Sequence, residues 1–455
     1  MSASLTGALA SHWSGTTYAD LPEDVVAGIK DHILDSLAVA LYGARTDEAR
    51  SVINALAEVQ DTSTGSSVWG TDLRLAPAQA ALANGTSTHA RDFDDGGGAG
   101  HAGATVLPAA IAVAEALGGT GQSLITATVA GYDVGFRALA ALGGFGAHTD
   151  RGWHTTGTMG SLAAAAAAAK SLDLAADRFA DALGVAGSFT GGIWAFKDDG
   201  AMTKRLHPGK ACETGVDAAI LARAGITGPR HLFEARWGGL FATYNGGEGH
   251  PDAALKDLGV DFNVASSYIK PYACCRGSHS AIDVVMAVLA ELSISSADVR
   301  NVRVVAGETA INMLSVSPIE TVFDAQFSLP YAIGLALTGG KLGLDEYEPL
   351  RLDDEVVREA VAKVTLEVDP SIDLLDGPRL EFTLTGGEKI VREAGDPTDA
   401  KGSAKNPMSH DEVVAKATAL VAPLGPDAAH ELVTAVDHLD HAPDLSELLH
   451  ALRAR

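Results

Sequence analysis

The chain has 455 residues, more than one ordinary core accommodates, so two domains are expected from length alone. Hydrophobic residues make up 47% and charged residues 20%, the balance of a globular chain. Asp and Glu number 58 against 33 Lys and Arg, a net charge of -25, which argues against a nucleic-acid ligand and against an anionic membrane surface.

The first residues, MSASLTGALASHWSGTTYADLPEDVV, lack a basic segment followed by an apolar run, so no secretory signal is expected. No apolar run reaches transmembrane length anywhere in the chain. From Leu21 the pattern turns helical. Pro22 and two acids stand at the start, Gly43 at the end, and Val26, Ile29, Ile33, Leu37 and Leu41 recur at helical spacing. Apolar helices are predicted on both sides of His89–Gly103, a glycine-rich run that cannot itself hold a helix. From Ser161 seven consecutive alanines predict a buried central helix. Near Gly259 the texture changes. VRNVRVVAG, VTLEVD and LEFTLTGGEKIVRE alternate apolar and polar residues and read as strands, the last with a hairpin turn at Gly386-Gly387. After Asp396 helix resumes, with Ser409 and Glu412 forming a capping box. The expected fold is mainly α with an α+β insertion: a helical domain over 1–258, an α+β lid over 259–396, and C-terminal helices over 397–455 returning to the helical domain.

Four polar islands interrupt the apolar pattern. The first holds Asp92, Asp94, Asp95 and His101. A carboxylate beside a histidine on a flexible loop suits acid–base chemistry, while the plainer reading is a loop whose aspartates cap backbone amides. The spacing matches neither an EF-hand nor a His-x-x-x-His site, so no metal is expected. The second, GWHTTGTMG, holds His154, Thr155 and Thr156. Its hydroxyls and helix N-terminal amides suit a carboxylate, unless a threonine simply caps the alanine helix. The third, MTKRLHPGK, gathers Lys204, Arg205, His207 and Lys210; it suits an anionic small molecule, or is an ordinary solvated helix start. The fourth, YIKPYACCRGSH, holds Lys270, Cys274, Cys275, Arg276 and His279. With Cys212 these are the chain's three cysteines, too few for a disulfide framework, and a reducing, cytoplasmic location is expected. Nothing beside Cys274 or Cys275 specifies a reactive thiolate.

In order and wording these islands resemble the MmgE/PrpD superfamily, which includes 2-methylcitrate dehydratase, cis-aconitate decarboxylase and iminodisuccinate epimerase. The resemblance runs from LPEDVVAGIKDHILDSLAVALYG to KNPMSHDEVVAKA. Its most specific pieces are HARDFDD with a following His-x-Gly, GWHTTGTMG, GAMTKRLHPGKACETGVDAAILARAGITGP, IKPYACCRGSHSAID and AQFSLPYAIGLAL. It departs at Gly96–Gly103, where Ala102 stands in place of the family's proline.

The resemblance implies a homodimeric, cofactor-independent lyase that dehydrates or decarboxylates a small citrate- or aconitate-like polycarboxylate. The alternatives are epimerisation of an iminodisuccinate-like acid, or silent binding of an anionic metabolite. It implies catalytic roles for Asp92, His101, His154, Lys204, Lys270 and Tyr331, converging on one cleft. Thr155, Arg205, His207, Arg276 and His279 would bind substrate. Asp94 and Asp95 are read as structural caps.

Overall fold

Where the sequence runs through seven alanines, the computed structural model has one helix, Thr155–Ser171, buried from Thr155 to Ala169. It describes residues 4–98, 100–347, 353–373, 376–396 and 398–454. The chain divides into two compact units. One comprises Met1–Ala90, Asp94–Ser267 and Ser409–Arg455; the other comprises Arg91–Phe93 and Tyr268–Met408.

The first unit is helical, apart from a short antiparallel pair, β1 (Ser66–Ser67) and β2 (Arg74–Leu75). The alanine helix is its centre, packed by Gly121–Ala141, Thr203–Arg223, Ala102–Leu117 and Ala176–Phe189. Methyl side chains let helix axes approach to about 8 Å, so enlarging one of these alanines to Leu would overpack the site at about 1–3 kcal/mol. The N-terminal helix Leu5–Gly15 is tied in by Trp13, whose indole donates to buried Asp133 at 2.9 Å. Arg137 pairs with the same carboxylate at 2.8 Å and donates to the carbonyls of Ala254 and Lys256, holding that return segment in this unit. The helix His410–Val421 starts at Ser409, whose side chain accepts from Glu412 in a capping box. It packs against Glu23–Gly43, where Lys416 Nζ lies 2.6 Å from Asp35.

The second unit is built on a four-stranded sheet in the order β4-β3-β5-β6: β3 is Val299–Ala306, β4 Val364–Val368, β5 Arg379–Leu384 and β6 Lys389–Glu393. β3 runs parallel to β4 and antiparallel to β5, with Val304 opposite Leu366 and Leu380. Strand alternation puts Val302, Val304, Leu380 and Phe382 on the buried face. On the other face Arg303 joins Glu381 at 2.7 Å, a partly exposed pair that contributes little to stability. The β5–β6 turn passes through Gly387 at φ 90°, as the Gly-Gly pair predicts. The helix Leu329–Leu337 packs on β4 and on the helices His279–Leu292 and Glu355–Val361. Among the described residues no helix is long and apolar enough to cross a membrane. The fold is therefore mainly α with small β-sheets.

Candidate active site

Two helices of the first unit, Pro77–His89 and Thr203–Arg223, cross at a pair of glycines. A Cβ on Gly209 would lie 2.4 Å from the Leu82 carbonyl oxygen, and one on Gly85 would lie 3.0 Å from the Gly209 Cα. Larger residues would force the helices apart. The close crossing sets His89, at the end of one helix, against Lys204, in the first turn of the other. Lys204 Nζ lies 2.8 Å from His89 Nε2. Arg205 donates to the His89 carbonyl at 3.3 Å. Lys204 is 2% exposed and Arg205 is buried, so these two cations are not part of a solvated helix start, whereas Lys210 is exposed.

His89 Nδ1 lies 2.9 Å from Asp94 Oδ1 and 3.1 Å from Oδ2. His101 Nδ1 lies 3.0 Å from Asp94 Oδ2, and the two imidazole rings are 4.1 Å apart. Asp94 is thus shared by two histidines instead of capping the backbone. Burial alone would raise its carboxyl, but His101 and His89 hold it well below the usual carboxylate range. Burial pushes His89 well below its ordinary value against the pull of Asp94, and the nearby Lys204 and His101 add to the fall. A neutral His89 fits both contacts: its Nε2 accepts from the ammonium and its Nδ1–H donates to the carboxylate.

The helix carrying the alanines begins after His154, its N-cap residue, so neither Thr155 nor Thr156 is the cap. His154 Nδ1 and His207 Nδ1 are 2.7 Å apart, one donating and one accepting, with Trp194 and Phe196 edge-on to the His154 ring. Burial, then Lys204, keeps His154 well below its ordinary value; the same two causes bring His207 down to about 4. Gly100, at φ 79°, fits where a Cβ would lie 2.5 Å from Thr156 Oγ1 and 2.8 Å from Thr155 Oγ1. There the glycine-rich segment meets the helix start, and His101 donates its backbone N–H to Thr156 Oγ1 at 3.3 Å.

Asp95 faces other partners. It accepts from Tyr132 Oη at 2.5 Å and from the Gly103 backbone N–H at 2.7 Å, and lies 2.5 Å from His32 Nδ1. Burial and the Asp95 charge push the Tyr132 phenol well above its ordinary value, so it remains a donor.

In the second unit Lys270, fully buried, reaches Asp92 at two atoms: the carbonyl at 2.8 Å and Oδ1 at 2.9 Å. Asp92 holds a left-handed φ of 52°, a conformation that Asp173 and Asp257 also adopt and that aspartate tolerates better than most residues. Arg276 donates to His279 Nδ1 at 2.9 Å, to the Lys401 carbonyl at 2.9 Å and to Ser403, and stacks over Tyr268. Burial, Arg276 and Lys270 keep His279 well below its ordinary value. The Tyr331 hydroxyl donates to the Glu346 carbonyl at 2.9 Å. Burial pushes the Cys274 thiol up to about 12, which suits a packing residue.

Sequence reasoning singled out His101, Lys204, His154, His207 and Arg205, which gather in the first unit. It passed over His89 and took Asp94 for a cap. The signal was present in HARDFDD: a histidine ending an apolar helix, with an aspartate five residues on. His89, Asp94 and His101 also carry ligand-type atoms within 4.8 Å of one another. The Lys204 ammonium against His89 opposes a second cation, and the two imidazoles already share Asp94.

The first unit thus holds a buried lysine, four histidines and a carboxylate shared by two of them, groups of the kind that exchange protons. The chain belongs to the MmgE/PrpD family. Residues 7–251 match its N-terminal domain and residues 272–441 its C-terminal domain. Over 95% of this chain and 93% of the relative, it is 28% identical to a cis-aconitate decarboxylase-like protein of Aspergillus oryzae. It is 28% identical to the cis-aconitate decarboxylase of Aspergillus terreus over 97% of this chain and 94% of the relative, and 27% identical to that of Homo sapiens over 99% and 95%.

Proposed function

We propose that the protein is a cofactor-independent lyase that decarboxylates an aconitate-like polycarboxylate, acting as a homodimer in the cytoplasm. The observation that carries the reading is the buried ammonium of Lys204 set 2.8 Å from a neutral imidazole, beside a carboxylate shared with a second imidazole. An ammonium held in a low-dielectric setting suits a substrate carboxylate and the enolate-type charge that develops beside it. In such a reaction the C–C bond to the departing carboxylate breaks and CO₂ leaves. The electron pair passes into the adjacent unsaturated system, and a proton is delivered at its far carbon. His101 is assigned as that proton donor, His154 as the second acid–base group, and Lys204 as the charge stabiliser. Thr155, Arg205 and His207 are assigned to substrate carboxylates. Asp92, Lys270 and Tyr331 are assigned catalytic roles, and Arg276 and His279 binding roles, on the family resemblance.

The test is a panel of cis-aconitate, 2-methylcitrate, citrate and iminodisuccinate with EDTA present, followed by CO₂ release, alkene absorbance and optical rotation. CO₂ release from cis-aconitate is expected. Loss of rotation on iminodisuccinate without CO₂ would reassign the protein as an epimerase, alkene formation from citrate or 2-methylcitrate as a dehydratase, and no turnover of any of the four would end the lyase reading.

A further inference from the structure

We propose that Asp94 and His89 are positioning residues of the acid–base site: Asp94 keeps the proton of His101 on Nδ1, so that exchange with substrate falls to Nε2, and His89 aims the Lys204 ammonium. The proposal rests on the lyase reading for its kinetic part only.

Two constraints converge on His89. Its Nδ1 faces the Asp94 carboxylate at 2.9 Å, and an ionised carboxylate only accepts. Its Nε2 faces the Lys204 ammonium at 2.8 Å, and an ammonium only donates. Both select the same tautomer, with the proton on Nδ1. His101 Nδ1 lies 3.0 Å from Asp94 Oδ2, an ion-pair distance without full hydrogen-bond alignment, and the carboxylate's charge favours a proton on that nitrogen too. Asp94 is fully buried with no exposed edge for a ligand, so any effect on substrate passes through the imidazoles. A buried carboxylate behind a catalytic imidazole sets its tautomer and orientation, and in a Ser-His-Asp triad its amide replacement costs about ten-thousandfold in kcat by favouring the wrong tautomer. His89 gives Lys204 an acceptor other than bulk water, which holds a flexible four-carbon side chain in one direction.

A purely structural role for the pair predicts lost stability and nothing else. The experiment is long-range ¹H–¹⁵N correlation spectroscopy of the full chain with ¹⁵N-labelled histidine, assigned with His89→Gln and His101→Gln. Wild-type protein should show His89 protonated on Nδ1 alone and His101 carrying a proton on Nδ1, whether or not Nε2 is also loaded for delivery. Asp94→Asn should shift His101 toward the other tautomer. It should also lower kcat by at least about a hundredfold, with KM changed by less than about threefold. Asp94→Glu, which keeps an acceptor, should restore the tautomer and part of kcat. A wild-type His101 protonated on Nε2 with Nδ1 bare overturns the proposal, as does a folded Asp94→Asn variant with wild-type kcat. Where Asp94→Asn does not fold, the wild-type spectrum decides. The expected tautomers without turnover of any polycarboxylate would defeat the lyase reading and leave the tautomer assignment standing.

Discussion

Asp94 and Asp95 are neighbours in sequence and equally buried, yet they serve different regions of the helical unit. Asp94 lies among groups that can exchange protons: His89, His101 and, beyond them, Lys204. Asp95 faces the Tyr132 phenol, a backbone amide and His32. Close to it are Asp35 and Lys416, which tie the helix His410–Val421 to Glu23–Gly43. The contrast teaches that burial alone does not tell two adjacent carboxylates apart. In the proposed assignment the difference lies in what the partners touch: His101 and, through His89, Lys204 are the groups assigned to substrate.

The largest effect is expected on the framework side. Lys416→Met leaves the Asp35 carboxylate without its cation and should cost about 3–5 kcal/mol at pH 8. The pH dependence follows from Asp35. Burial raises it to about 6 from an ordinary 3.8, against the opposing pull of Lys416. The native state therefore holds this proton more tightly than the unfolded chain, and stability from this group falls as pH rises from 3.8 through 6. Thermal melts should show the variant's deficit shrinking as pH falls towards 6 and levelling off below it, where Asp35 is neutral in both proteins. A deficit independent of pH would dissolve the Asp35–Lys416 account.

On the chemical side, Lys204→Ala should lower kcat/KM by at least about a hundredfold, the scale for removing a preorganised charge stabiliser. Wild-type kinetics in a folded Lys204→Ala variant would remove the contrast altogether.

Asp95→Asn sharpens the comparison directly. It turns one acceptor into a donor facing other donors and should cost about 2 kcal/mol of stability. Turnover per folded molecule should stay within about tenfold of wild type. A larger kcat loss than that of Asp94→Asn would exchange the two roles.

The smallest effect concerns His207, held at about 4 chiefly by burial and then by Lys204, against an ordinary 6.5. Between those values the unfolded chain binds the proton and the native state does not, so stability falls as pH drops through that window. His207→Gln should flatten the slope by about 1 kcal/mol in denaturant titrations between pH 6.5 and 4. An unchanged slope would show that other groups, His148 among them, carry the acid limb.

Much was legible in the amino-acid order. Helical spacing from Val26 to Leu41 marked the helix Glu23–Gly43, and Ser409 with Glu412 marked the start of another. Alternation and the Gly386-Gly387 pair marked the strands and their hairpin. These are local events, each governed by residues within a turn or two. The four islands and their wording were equally local, and they carried the family. The polar pairings were not local. Lys204 and His89 are 115 positions apart, and Asp95 and His32 are 63 apart. Periodicity states only that a residue is buried or not. A buried carboxylate takes its partners from whichever distant donors the packing delivers. Two adjacent aspartates therefore look alike in the sequence, and only the tertiary packing, with the helix crossing at Gly85 and Gly209 that sets His89 against Lys204, decided that one of them would stand beside two histidines.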